Sequence, residues 1–282
     1  MQNNKIVPII IITYNKLYKF TIPCIDSIIS NTCYPYKIIV LDNGSTDDTV
    51  NILKEKYQHT GLIDILESKE NHHWHGGNIK ALEFVREKYN YDYFCLLNSD
   101  TLVSEGWLTK LTKHLTKNPN SISIVPTETI YKISILKKFY NEILSRQKCV
   151  TRLIMNSPLK KFRGKGLALP KEYKPVLVDG GATASLEDVQ KLNRFLEKKY
   201  GNKIVKDKVI KSGYCLLCKK TIQDDMIDYL AQFDPRDRNP NYWLKLKEEK
   251  GWDYLTALDT YVYHYRGGSG GYAITRAGEN GE

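Results

Sequence analysis

The sequence opens on no secretory signal, and its first apolar run, Ile6 to Ile12, falls far short of the ~20 residues that span a bilayer. Its six cysteines are scattered without a disulfide framework. Cys215 and Cys218 form a CxxC, but both lie inside the apolar run Tyr214 to Cys218 with no second pair to accompany them. Burial is therefore expected of them rather than zinc or redox chemistry. These absences point to a reducing, cytoplasmic setting. There is no G-x-G-x-x-G and no P-loop, which disfavours a nicotinamide enzyme or an ordinary kinase. The Gly-rich activating loop with which a nucleotidylyltransferase normally opens is missing too. So is any zinc-finger or RNP-type signature, which leaves charge as the only support for a nucleic-acid partner, and none is expected.

What is present is a chain of 282 residues, enough for one large α/β domain or one domain with an insertion. Apolar content is that of a folded soluble protein. Residues 131–174 hold twelve Lys or Arg against two Glu, the whole of the chain's +10 excess. Such a segment suits an anionic partner.

Strand and helix patterns alternate through the first half. Residues 5 to 13 read as a strand, with Pro8 early where a missing donor costs little. Leu17 to Ser30 reads as a helix and Ile38 to Leu41 as a second strand ending on Asp42. Gly44 permits a tight turn, and Ser45 or Thr46 can cap a helix that begins with Asp47 and Asp48. Leu62 to Leu66 is a third strand. The stretch Asn71 to Asn78 reads as a loop leading into a helix through Ala81, Leu82 and Val85. Tyr93 to Leu97, Trp107 to Leu115 and Ser121 to Val125 complete the alternation as strand, helix and strand. This predicts a doubly wound, mostly parallel sheet. Tyr93 to Leu97 ends on Asn98, Ser99 and Asp100, and ligands bind just beyond the carboxyl ends of such strands. Asp100 suits a hard divalent cation held against a diphosphate, and it equally suits the cap of a helix starting near Ser104.

Taken together, four stretches resemble glycosyltransferase family 2, the inverting nucleotide-sugar-dependent enzymes of GT-A fold. They are Ile9 to Asn15, Val40 to Asp47, Leu96 to Asp100 (like an Asp-x-Asp element with Asn first) and Gly213 to Leu217. Val262 to Ser269 is similar to the family's closing His motif. The resemblance implies an α/β GT-A fold over residues 1–272: a nucleotide-sugar half to 130, a basic helical insertion on the acceptor side over 131–212, and an acceptor half over 213–272. Residues 273–282 lack apolar pattern and read as a flexible tail. It also implies roles. Thr13, Tyr14 and Asn15 line the base pocket with Asn98 and Ser99 nearby. Asp42 bonds a uracil or thymine imide. Trp74, Gly77 and Asn78 lie on the donor-sugar side. Asp100 ligates Mn²⁺ or Mg²⁺, and His264 is a further ligand or a phosphate contact. The implied donor is a UDP- or dTDP-sugar and the implied acceptor a glycan or lipid-linked hydroxyl, in surface polysaccharide or glycolipid assembly.

Plainer readings stand beside these. Asp42 and Asp47 suit turn and cap roles, His264 suits a strand between two tyrosines, and His72, His73 and His75 are neighbours with no carboxylate partner. The chain also departs from the family where an acid pair is expected to supply the base. Asp237-Arg238-Asn239-Pro240-Asn241 stands there, with amides at the acidic places. A neutral amide cannot accept the acceptor's proton, which leaves Asp237 as the nearest acid. Ile133 to Ile154 sets apolar residues at near-helical spacing among Lys and Arg. It reads as a basic amphipathic helix, either lying on an anionic membrane as a peripheral anchor or packed on the domain.

Overall fold

Every residue of the strand Val7–Thr13 (β1) is buried or nearly so, because sheet neighbours flank it and helices cover both its faces. The computed structural model describes residues 5–127, 184–207, 213–232, 249 and 251–265. Asp237, residues 131–174 and the tail 273–282 lie outside them.

After β1 come helix α1 (Ile22–Asn31), strand β2 (Tyr36–Asp42), helix α2 (Thr49–Tyr57), strand β3 (Ile63–Glu67), helix α3 (His73–Lys88) and strand β4 (Tyr93–Asn98). Strand β5 (Thr101–Val103), helix α4 (Trp107–Thr116) and strand β6 (Ser121–Thr127) follow. The later elements are α5 (Leu186–Tyr200), β7 (Ile204–Asp207), β8 (Cys215–Lys219), α6 (Gln223–Leu230) and β9 (Asp253–His264). The sheet runs β3-β2-β1-β4-β8-β6-β9-β5, with β7 also on β9. Parallel pairing joins β1 to β2 and β4, β2 to β3, and β6 to β9. β8 runs against both β4 and β6. The expected α/β architecture is present, with a mixed but mostly parallel sheet.

One apolar cluster lies under α1 and α4, centred on Ile9, Ile25, Trp107 and Leu217. A second lies under α3 and α6, centred on Ile10, Leu82, Phe94 and Met226. Cys215 belongs to the first and Cys218 to the second. Three residues apart on a strand, they point to opposite faces, so this CxxC can hold neither a common metal nor a disulfide. Burial raises both thiols well above their ordinary range.

Leu17 to Ser30 is helical as expected, its first turn over Leu17–Thr21 wound wider than the α-helix that continues it. Two other local expectations are corrected. Asp100 caps no helix, for it leads into β5, and α4 starts only at Trp107, after Gly106 in the left-handed region. The loop expected through Asn78 is already helical from His73. Among the described residues, no helix is long and apolar enough to cross a membrane.

Candidate active site

Thr13 and Asp42 stand side by side at the ends of β1 and β2, and Asn98 lies opposite Ile12 on the other side of β1. The backbones of Asp42 and Asn98 are thus two inter-strand spacings apart, about 10 Å. Both open at the carboxyl end of the parallel strands, where α/β sheets bind ligands. The Thr13 hydroxyl meets that of Thr21 at 2.7 Å, and its carbonyl accepts from Asn43 N–H at 2.8 Å.

The chain leaves β1 through two left-handed residues, Asn15 (φ 52°) and Lys16 (φ 55°). Asn is among the few residues that take this conformation readily. Asn15 then ties the first two loops together: its N–H donates to Ser45 Oγ at 2.8 Å, and its Oδ1 accepts from Thr46 N–H at 2.9 Å. Tyr14 stands at the rim, 38% exposed. Gly44 turns the chain at φ +79°, and a Cβ there would sit 2.8 Å from the Glu70 carbonyl carbon. Gly44→Ala combines left-handed strain of about 1–2 kcal/mol with a clash against backbone. It is expected to destabilise the fold by about 3 kcal/mol, lowering the thermal midpoint by about 5–10 °C. Gly61→Ala is the control in a thermal melt, since its φ is also positive but its Cβ meets nothing within 4 Å.

Asp42 and Asp259 are both 3% exposed and titrate in opposite directions. For Asp259, burial pushes upward. The bonds from His114 (3.0 and 3.1 Å), Asn202 N–H (2.9 Å) and the Thr260 hydroxyl outweigh it and hold the carboxyl below its ordinary value. For Asp42, burial wins over the Ser45 hydroxyl and N–H and the Gly44 N–H, and the carboxyl is raised. Asp42 is the carboxylate whose desolvation is incompletely offset, and it stands at the carboxyl end of β2. An added N–H donor would restore the balance.

Asn43 clamps the next loop, donating to Asn71 Oδ1 (2.9 Å) and His73 O (3.0 Å) and accepting from His72 N–H (3.0 Å). Nothing in its side chain set Asn43 apart in the sequence; only its place after Asp42 could have. α3 then presses onto β1 and β2, and a Cβ on Gly77 would come within 3.0 Å of Ile12 Cγ2 and 3.4 Å of Leu41 Cδ2. Buried Asn78 donates to Trp74 O at 2.7 Å, and the Trp74 indole N–H donates to Asn98 Oδ1 at 3.3 Å. The three histidines diverge: His72 Nε2 accepts from Lys80 at 2.6 Å, His73 is exposed and His75 is buried.

His264 is brought in by register. The last residue of β9, it pairs with Thr101, and Tyr265 N–H closes on Asp100 O at 2.9 Å. Its Nε2 lies 3.2 Å from Asp100 Oδ1 and 3.3 Å from Asn98 Nδ2. Its ring stacks on Tyr214 at 4.7 Å and 8°. Tyr214, missed in the sequence as strand filler, is set there because its carbonyl accepts from Asn98 N–H at 2.8 Å. Asp100 is wholly buried and Ser99 is 3% exposed. Among the described residues no three His, Cys, Asp or Glu side chains converge. The Asp100–His264 pair still fits a divalent ion. Cis ligands at about 2.1 Å from an octahedral ion stand about 3.0 Å apart, close to the 3.2 Å between Oδ1 and Nε2. A mixed oxygen and nitrogen donor set suits Mn²⁺ better than Mg²⁺.

A family model described as Glycosyl transferase family 2 matches residues 9–169. An uncharacterized glycosyltransferase of Haemophilus influenzae is 30% identical over 118 residues, 42% of this chain and 35% of that protein. The chain therefore matches about a third of the length of that curated relative. Residues 1–349 of S. aureus TarS in complex with UDP-GlcNAc superpose with a TM-score of 0.37 at 19% identity, covering 43% of this chain and 34% of that one. The complex of the same protein with UDP gives 0.37 and 19%, over 43% and 35%.

Proposed function

The chain belongs to glycosyl transferase family 2, and from that premise we propose that it moves a sugar from a UDP- or dTDP-sugar to an acceptor hydroxyl with inversion. The observation that carries this reading is the meeting of Thr13, Asp42, Asn98, Asp100 and His264 at one end of the sheet. Thr13, Tyr14 and Asn15 hold the base, and Asp42 accepts its imide N–H. Asn98 and Ser99 border the nucleotide, while Trp74, Gly77 and Asn78 form the wall beside the donor sugar. Asp100 and His264 hold Mn²⁺ or Mg²⁺. The ion supplies Lewis-acid stabilisation of the charge on the departing diphosphate, several kcal/mol. Asp237 takes the proton from the acceptor hydroxyl.

The acceptor is a glycan or a lipid-linked hydroxyl, in polysaccharide or glycolipid assembly. Residues 131–174, with their net +10 charge, hold the protein peripherally at the cytoplasmic face of an anionic membrane. Sedimentation with anionic and neutral vesicles tests that placement, and equal binding to both would rule it out.

Asp42 makes donor binding pH-dependent. Its folded value is raised, so the carboxylate that accepts an imide N–H is lost as pH falls through a value above the ordinary aspartate range. The group's own effect on folding has the opposite sign, its buried charge being relieved by the same protonation. In titration calorimetry, UDP affinity is expected to begin falling above that range, and Asp42→Asn to flatten this limb. A wild-type profile without the limb contradicts the role.

A thermal-shift panel of nucleotide sugars, with and without Mn²⁺, tests the reading as a whole. A ligand at a hundred times its dissociation constant adds ~2.7 kcal/mol, about 5–10 °C for a domain of this size. No shift with any UDP- or dTDP-sugar would overturn it. One feature favours a second reading, a protein that binds nucleotide sugar without transferring it: Asn239 and Asn241 stand where the family places acids. Donor binding without turnover would select it.

A further inference from the structure

We propose that Asn43 is a positioning residue: its side chain holds His73 in the left-handed backbone region and so sets Trp74, the next residue, against the sugar of a nucleotide sugar. The second half rests on the donor-side reading of Trp74 given above; the first does not. Asn43 follows the last residue of β2 and is 2% exposed. Its amide is fully used. Nδ2 donates to Asn71 Oδ1 at 2.9 Å and to His73 O at 3.0 Å, while Oδ1 accepts from His72 N–H at 3.0 Å. Two hydrogens and one oxygen thus meet three partners, all on the connection between β3 and α3. Asn71 Oδ1 also accepts from His73 N–H at 2.8 Å. The two amides, bonded to each other, grip the chain on both sides of His73.

His73 is a residue that needs such a grip. Its φ is 55°, a conformation that disfavours a residue with a Cβ by roughly tenfold in population. Its own side chain is exposed, so the fixing falls to the amides. Backbone held this way persists only where its surroundings over-determine it, and such places cluster at ligand sites. Trp74 comes immediately after. Its indole N–H reaches Asn98 Oδ1 at the tip of β4, 3.3 Å away, so the ring's place depends on the direction in which the chain leaves His73. The Asp42 carboxylate is secured separately, by the N–H and hydroxyl of Ser45. Asn43 N–H is tied to Thr13 O at 2.8 Å whatever side chain it carries. Losing the Asn43 amide therefore loosens the wall beside the sugar and spares the grip on the base.

Asn43→Ala removes the clamp, and His73→Gly removes the need for it, because Gly takes left-handed backbone without steric cost. In the protein without ligand, hydrogen exchange read by mass spectrometry is expected to quicken over residues 72–78 in Asn43→Ala and to stay unchanged in the core strands. Calorimetry then compares UDP with the UDP-sugar that gives the largest thermal shift. Asn43→Ala is expected to keep UDP affinity within about twofold and to lose about tenfold for the UDP-sugar, the cost of ordering a wall no longer held in advance. Adding His73→Gly should recover part of that loss, which a merely structural role for Asn43 would not allow. If Asn43→Ala does not fold, Asn71→Ala breaks the same network from an exposed position and carries the same readouts. Equal losses for UDP and UDP-sugar, or an unchanged UDP-sugar affinity in a folded variant, would overturn the proposal. A wild type that binds neither compound would overturn the donor reading instead, while quickened exchange over 72–78 would still uphold the clamp.

Discussion

Asp100→Asn is expected to lower kcat/KM for sugar transfer by about a thousandfold, or ~4 kcal/mol of transition-state stabilisation. The size follows from placement. Asp100 is wholly buried, so its charge acts with little screening on whatever sits between it and His264 Nε2, 3.2 Å away. Asn has nearly the same shape and no charge. It removes the attraction for a cation while filling the same space. The unliganded protein should lose little stability, because a buried charge disappears and an amide can either donate to or accept from Nε2. The thermal midpoint without ligand is therefore expected to change little as Mn²⁺-dependent stabilisation by UDP vanishes. A variant that keeps more than a tenth of wild-type activity, with unchanged Mn²⁺ dependence, would show that Asp100 is not the cation's anchor.

Asp237→Asn is expected to lower kcat by about a thousandfold, within the range for loss of a general base, and to leave UDP affinity unchanged. The two readouts separate because the base acts on the acceptor and not on the nucleotide. Asn239 and Asn241 follow it two and four positions along the chain, and neither amide can take over the proton. Initial rates with saturating donor, beside calorimetric binding of UDP, make the comparison. Retained turnover would move the base to another carboxylate.

The strand tips of the candidate site were legible because buried parallel strands write themselves as unbroken apolar runs. β1, β2 and β4 end where the runs end, on Thr13, Asp42 and Asn98. Gly44 announced its turn, and its positive φ is where that turn demands it. Less legible was the start of α3. Gly costs a helix about 1 kcal/mol relative to Ala, so Gly76-Gly77 reads as loop. The fold overrides that preference because α3 lies so close to β1 and β2 that a Cβ on Gly77 would crowd Ile12 and Leu41. β5 was hidden for another reason: three residues carry no period, and its pairing partner lies some 160 positions along the chain. The same register puts His264 beside Asp100, and the stack on Tyr214 depends on it too. Side chains that meet across a sheet at such separations leave no local pattern.

The most direct measurement of the central claim is a crystal structure of the protein with UDP and Mn²⁺, read with anomalous scattering. The account predicts a manganese peak bonded to Asp100 Oδ1 and His264 Nε2, with the uracil imide on the Asp42 carboxylate. A manganese peak away from Asp100, or a uracil bound elsewhere than the tips of β1 and β2, would contradict it.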